Sequence, residues 1–406
     1  MLIWCIVGAA IVGVLFRPRN WPEAVWACLG AVLLVSTGLL PVRRAGIAVA
    51  KGTDVYLFLT GMMLLAELAR RNGVFDWLAS HAVAAAGGSC RRLFTLIYIV
   101  GVVVTVFLSN DATAVVLTPA VYAAVRKARV KALPYLFVCA FIANAASFVL
   151  PISNPANLVV YGRDIPPLMP WLRTFFLPSV ISIAVTYATL RWLFREELRG
   201  RVEDGTEPGR MSRKGRLAAW GILGTGAVLI AVSGFGLDLG LPTCIAAAIA
   251  VLIASRDVKA ILKGVSWSVL PLVAGLFVLV EALNGAGALA ILGNLLRHCS
   301  EMPRLAGSLA ASFGIAGLSN LMNNLPSGLL AGGALQATQV HPQILDAVLI
   351  GVDLGPNLSV TGSLATVLWL IALRREGEQI SGWSFFKAGL LVMPPALLLA
   401  TLALGR

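Results

Sequence analysis

Four short polar stretches interrupt an otherwise apolar chain. They are Ser109-Asn110-Asp111, the run Leu150 to Asn157 carrying Ser153, Asn154 and Asn157, Asn323-Asn324 with Pro326, and Gly355-Pro356-Asn357 running on to Thr361-Gly362-Ser363. Each has the chemistry of a broken helix. Pro151, Pro155, Pro326 and Pro356 stop the helical ladder, and the freed backbone groups face the break. Asn, Ser and Thr cap half-helix ends and also offer donors and acceptors to a small polar solute. Taken singly, each stretch is explained equally well by side chains that merely satisfy kinked backbone. Four stretches in two related pairs point to a binding site. Its candidate lining is Ser109, Asn110, Asn144, Ser147, Ser153, Asn154, Asn157, Asn323, Asn324, Asn357, Thr361 and Ser363.

Asp111 and Asp353 add a second chemistry. An ionised carboxylate at membrane depth costs at least about 2.5–3.5 kcal/mol unless it is paired or used, and neither residue has a Lys or Arg within four positions. Both are candidate proton-coupling groups. Glu67 has Arg70 and Arg71 one turn on, the spacing of a helix-end ion pair. Glu281 has Asn284 and Gly285 there instead and stays a minor candidate.

The elements that must hold these residues are membrane helices. The 406 residues are 58% hydrophobic and 13% charged, with a mean hydropathy of +0.87, which excludes a soluble domain. The expected fold is an all-α integral membrane protein of two inverted-topology repeats, each with five spans and one re-entrant hairpin, and with discontinuous helices at the site. The first repeat covers 1–195, with a hairpin near 93–126 and a broken span near 133–161. A cytoplasmic linker covers 196–216. The second repeat covers 217–406, with a hairpin near 305–336 and a broken span near 343–373. Between third and fourth spans lie arms too short to cross, Val74 to Gly87 and Ala288 to Leu296.

The repeat shows in offsets. Gly61, Glu67 and Gly73 recur 214 residues later as Gly275, Glu281 and Gly287; Asn110-Asp111 aligns with Asn323-Asn324 at 213, and Asn144 with Asp353 at 209. On that alignment Asp111 faces Asn324 and Asn144 faces Asp353, so the fold itself does not require the carboxylates. Five spans per half is odd, which inverts the second half. Placing the loop Arg195 to Arg216 in the cytoplasm leaves only Arg43, Arg44, Lys51, Arg163, Arg173, Arg297, Arg304 and Arg406 outside, eight of 32 basic residues. That asymmetry predicts a multi-pass prokaryotic plasma-membrane protein with both termini outside.

Other chemistries find little support. The net charge of +13 sits in short loops flanking apolar spans, the pattern of insertion topology rather than of nucleic-acid binding. Cys5, Cys28, Cys90, Cys139, Cys244 and Cys299 have no metal-ligand spacing, and His81, His298 and His341 fall in arms or loops. Gly264-Val265-Ser266 is a lone G-x-S without a positioned His. No metal and no cofactor are expected. The first apolar run, Met1 to Phe16, lacks a basic start and a cleavage site and reads as a retained span.

At the same residues the chain resembles the arsenical pump membrane protein family, arsenite and antimonite efflux carriers of the ion-transporter superfamily. The resemblance rests on Ser109-Asn110-Asp111 with Leu117-Thr118-Pro119, on the run Ala143 to Leu158, and on Asp353-Leu354-Gly355-Pro356 with Thr361-Gly362-Ser363-Leu364-Ala365-Thr366. It implies secondary efflux of arsenite or antimonite against protons by an elevator-like or rocking mechanism. It also implies a soluble arsenite-stimulated ATPase docking on the cytoplasmic side in some organisms, and a homodimer as in related carriers. Arsenous acid is an uncharged trihydroxide near neutral pH, matched to an amide and hydroxyl lining, and a thiol trap would need three converging cysteines. Sodium–proton exchange, or sodium-coupled transport of an anion, are the alternatives in the same architecture.

Overall fold

In the computed structural model, which describes residues 1–162, 165–202, 209–255, 257–378 and 380–404, every regular element is helical. Glu203, Asp204, Gly205, Glu207 and Pro208 of the expected linker, and Arg163, Arg256 and Arg406 of the charge count, lie outside the described residues.

The first half runs α1 Leu2–Phe16, α2 Glu23–Ser36, α3 Val42–Lys51, α4 Thr53–Arg71, α5 Val74–Ala85, α6 Cys90–Phe107, α7 Asn110–Ala112, α8 Thr118–Lys127, α9 Leu133–Ala145, α10 Pro155–Tyr161 and α11 Leu168–Leu193. The second runs α12 Arg213–Gly234, α13 Gly240–Ala254, α14 Val258–Gly264, α15 Val269–Gly285, α16 Ala288–Glu301, α17 Arg304–Met322, α18 Asn324–Ala337, α19 Pro342–Leu354, α20 Leu364–Arg375 and α21 Gly382–Leu402. A π-helical turn, Thr113–Leu117, joins α7 to α8. Apart from that extra break, the halves match element for element.

By length and composition α6, α11, α12, α17 and α21 can cross a membrane, and α3 with α4 and α14 with α15 form two more candidates bent by 47° and 43°. Two departures from expectation follow. The third span of each half begins with a short helix, α3 or α14, that the sequence hid because its basic residues read as loop. The first limbs of the hairpins, α6 and α17, are 18 and 19 residues long, about 27 Å at 1.5 Å per residue and so of spanning length.

Packing sorts the helices into two groups. In the first, α4 lies on α13 and α15 lies on α2. Glycines set the approach: a Cβ on Gly61 would come 2.7 Å from the Thr243 carbonyl oxygen, and one on Gly275 2.9 Å from the Ala27 carbonyl carbon. In the second group α6 packs on α9, α17 on α19, and α11 on α21. Its centre is aromatic, with Phe137, Phe141, Trp369 and Phe385 in mutual contact. The indoles stay satisfied: Trp369 donates to the Leu136 carbonyl at 3.0 Å and Trp171 to the Phe148 carbonyl at 3.1 Å. The candidate site lies where the two groups face each other.

Candidate substrate site

The hairpin tips are built alike. Ser109 and Asn323 take positive φ values of 135° and 78°, strained for residues with a side chain. Each then caps the helix after it: Ser109 Oγ accepts from the Ala112 amide at 3.4 Å, and Asn323 Oδ1 from the Leu325 amide at 3.3 Å. Below each tip a buried hydroxyl pair ties the limbs, Thr105 to Thr113 at 2.8 Å and Ser319 to Ser327 at 2.7 Å. The strained residues and the hydroxyl ties recur at 214 residues. The tips therefore register Asn110 with Asn324 and Asp111 with Leu325, which corrects the sequence offset of 213. Thr105→Val or Ser319→Ala strands one buried hydroxyl, with an expected cost of about 1–3 kcal/mol. A lower melting temperature of the detergent-solubilised protein reads it out; an unchanged one means the pair does not hold the limbs.

The broken helices also correspond, here at 209 residues. Asn154 caps α10 by accepting from the Ala156 amide at 3.0 Å, and Ser363 caps α20 by accepting from the Thr366 amide at 3.1 Å. Around these breaks the candidates form one buried network. Asn154 Nδ2 donates to Asp353 Oδ1 at 2.6 Å, Asn144 Nδ2 to Asn357 Oδ1 at 3.0 Å, and Asn357 Nδ2 to the Phe141 carbonyl at 3.1 Å. Asn157 Nδ2 donates to the Ser147 carbonyl at 2.9 Å, Ser147 Oγ to the Asn144 carbonyl at 2.7 Å, and Ser153 Oγ to the Val106 carbonyl at 3.0 Å. Thr361 Oγ1 donates to the Asn320 carbonyl at 3.2 Å. Three acceptors are buried without a donor: Asp353 Oδ2, Asn144 Oδ1 and Asn157 Oδ1.

Two cavities meet at the first hairpin tip. The wide one, about 660 Å³, is walled by α4 and α15 (Leu59, Met62, Met63, Ala66, Val269) on one side and by Ser109, Asp111, Ala112 and Pro119 on the other, with Glu67, Arg70, Asp76 and Glu376 also on its lining. The narrow one, about 30 Å³, is bounded by Asn110, Asp111, Asn154, Asn324 and Leu325 against Leu59, Val269 and Val273. Asp111 belongs to both and has no ion pair among the described residues.

The structure thus brings Asn110, Asp111, Asn154 and Asn324 together on one small space, with Ser109 at its wide approach. Asn144, Ser147, Ser153, Asn157, Asn323, Asn357, Thr361, Ser363 and Asp353 line neither cavity. Their polar atoms chiefly hold the breaks in shape. Asp353 reaches the cavity only through Asn154. Among residues the sequence did not single out, Asn320 ties two segments, donating to the Gly355 carbonyl at 2.8 Å and accepting from Ser359 Oγ at 2.6 Å. Thr105, Thr113, Ser319 and Ser327 were findable, because their hydroxyls recur at the offset of the glycines.

Glu67 is paired as expected, by Arg70 and Arg71 at 2.7 Å each. Glu281 is not unpaired: Lys51 Nζ reaches it at 3.5 Å, from a helix that four-residue spacing could not reveal. It leaves the candidate set. All six cysteines are free, and no group of three or more His, Cys, Asp or Glu gathers among the described residues.

A family model described as Citrate transporter matches residues 9–373, most of the chain. The chain belongs to the citrate transporter family. The resemblance to arsenical pumps holds beside it. Proteins named "Arsenical pump membrane protein" align at 28% identity in Escherichia coli strain K12, over 100% of this transporter and 98% of that one, and at 27% in Yersinia enterocolitica, over 96% and 95%. The transporter is also similar in fold to the crystal structure of the Alcanivorax borkumensis YdaH transporter, with a TM-score of 0.55, 14% identity, and 88% and 86% of the two chains covered. These relatives make the protein a membrane transporter rather than an enzyme.

Proposed function

We propose that the transporter expels arsenite, and antimonite, as neutral hydroxides from the prokaryotic cytoplasm in exchange for protons. The observation that carries this is Asp111 standing where the wide cavity narrows to a space bounded by Asn110, Asn154 and Asn324. A small polar solute there meets three amides and one carboxylate. Substrate and proton then compete for one constellation, which is what obligatory exchange needs.

Charge argues for a neutral cargo. The wide cavity is lined by four carboxylates, Glu67, Asp76, Asp111 and Glu376, and one guanidinium, Arg70, whose charge Glu67 already meets. A tricarboxylate such as citrate would find no Arg or Lys in the narrow space to bind its carboxylates. The basic residues flanking this mouth, Arg70, Arg71, Arg126 and Lys127, support a cytoplasmic opening under the positive-inside rule. Two inverted repeats, each giving one hairpin and one broken helix, account for the recurrence of tip and cap geometry. Exchange then proceeds by an elevator-like or rocking shift of the hairpin group against α2, α4, α13 and α15.

Everted vesicles test the cargo. With the vesicle lumen acid relative to the medium, those carrying the transporter accumulate radiolabelled arsenite as protons leave, and excess citrate does not compete. Accumulation of citrate, or sodium–proton exchange indifferent to arsenite and antimonite, would overturn the assignment.

A further inference from the structure

A second, half-buried carboxylate lies on the helix that carries Asp353 and has no part in the exchange described so far. Asp346 precedes Asp353 by seven residues on α19, and Tyr161 follows Asn154 by seven, beginning at the cap of α10. Seven residues is nearly two full turns, so each pair shares a helix face, about 10 Å apart at 1.5 Å per residue. Hydrogen bonds join the helices at both levels. Asn154 Nδ2 donates to Asp353 Oδ1 at 2.6 Å, and Tyr161 Oη donates to Asp346 Oδ1 at 2.8 Å.

The upper pair lies away from the wide cavity. That cavity opens beside Glu376, just past the end of α20, where Tyr122 Oη donates to Glu378 at 2.9 Å. By contrast, α10 leaves the centre towards Gly162, which sits against Gln336 near the end of α18, and α19 enters from His341, whose amide donates to Ser300 at 2.9 Å. His341 is exposed and is an electrostatic neighbour of Asp346. Among the described residues the groups that act on it are the Tyr161 hydroxyl and the His341 imidazole. Asp346 is therefore met before Asp353 along α19 on the way in from the far side.

The stretch between the two acids is closed. On α19 it holds only Ala347 to Val352, and α18 seals it by close approach. A Cβ on Gly332 would come 2.6 Å from the Val159 carbonyl oxygen, and one on Gly328 3.6 Å from Val352 Cγ1. Wide access on the side of Asp111 thus coexists with a dry seam on the side of Asp346.

We propose that Asp346, the acceptor of the Tyr161 hydroxyl, is the outer proton-loading group of the exchange, an inference that rests on the proton antiport proposed above. A proton arriving from the far side, directly or through His341, is held on the Asp346 carboxylate. When α18 parts from α10 and α19, the seam hydrates and the same proton passes as H⁺ to Asp353 Oδ2, which has no hydrogen-bond donor. Only the proton moves.

Asp346→Asn and Tyr161→Phe separate this role from a structural clamp. The asparagine keeps an acceptor for Tyr161 but cannot carry a proton; the phenylalanine removes the bond but leaves the acid. In everted vesicles Asp346→Asn is expected to cut proton-driven arsenite accumulation by on the order of tenfold or more. It should keep arsenite–arsenite exchange, which needs no net proton movement, and Tyr161→Phe should stay within about twofold of wild type on both. A clamp gives the reverse order, with Tyr161→Phe the more damaging and both activities lost together; that result, or an unimpaired Asp346→Asn, overturns the proposal. If the unsubstituted transporter accumulates no arsenite, the cargo assignment fails instead.

Discussion

Vesicles carrying Asp111→Asn and Asp353→Asn together are expected to show no more proton-driven arsenite accumulation than vesicles without the transporter. The two single variants divide the effect by position. Asp111 lines both cavities, so Asp111→Asn should raise the arsenite concentration needed for half-maximal transport as well as lower the rate. Asp353 is fully buried and touches the cavity only through Asn154, so Asp353→Asn should lower the rate and leave apparent affinity nearly unchanged. Asn at either position keeps the shape and an acceptor, which makes misfolding a poor explanation for a loss. Accumulation that survives the double variant would contradict the coupling role of both acids.

The second large effect falls on assembly. Gly61→Leu and Gly275→Leu push side chains into the backbone of α13 and α2, where even a Cβ comes within 3 Å. Overpacking costs about 1–3 kcal/mol where side chains can give way, and here carbonyl groups face the insertion and cannot. Neither variant should yield a monodisperse protein on gel filtration, whereas Gly224→Leu, with nothing within 4 Å, should behave as wild type. Equal behaviour of all three would show that the two crossings do not hold the α4/α13 and α2/α15 layers together.

Much of this arrangement was legible because breaking a membrane helix needs particular residues. The tips at Ser109 and Asn323 and the caps Asn154 and Ser363 had to be Asn or Ser, and they stand out in apolar surroundings. The helix order was legible for the same reason, since glycine and polar marks recur at fixed offsets. What stayed hidden was facing. Lipid-exposed and interior positions are both apolar, so sequence could not tell that Asn144 and Asn357 turn to each other while Asn110, Asn154 and Asn324 turn to the cavity. Nor could it show that Lys51 reaches Glu281, because that ion pair closes over two repeats. Asp346 went unnoticed for a simpler reason: it lies near the start of a span, where an acid reads as a helix end, and its partner Tyr161 is 185 positions away.

The tip register illustrates the limit of counting. Matching polar pairs gives an offset of 213, whereas the strained residue in each tip, with its hydroxyl tie below, gives 214. The difference matters chemically. Asp111 then corresponds to Leu325, so an acid at the cavity belongs to one hairpin and not to both, while Asp353 supplies the other from a broken helix. In the exchange proposed above, one half supplies the acid at the cavity and the other the buried acid.

Competition between cargo and proton for one constellation is the core of this account, and calorimetry on the purified transporter measures it directly. Arsenite titrated at one pH into buffers of different ionisation heats should give heats that vary with the buffer, because binding releases protons, and the variation should vanish in the Asp111→Asn/Asp353→Asn variant. Binding with buffer-independent heat in the unsubstituted transporter, or undiminished proton release in the variant, would contradict it.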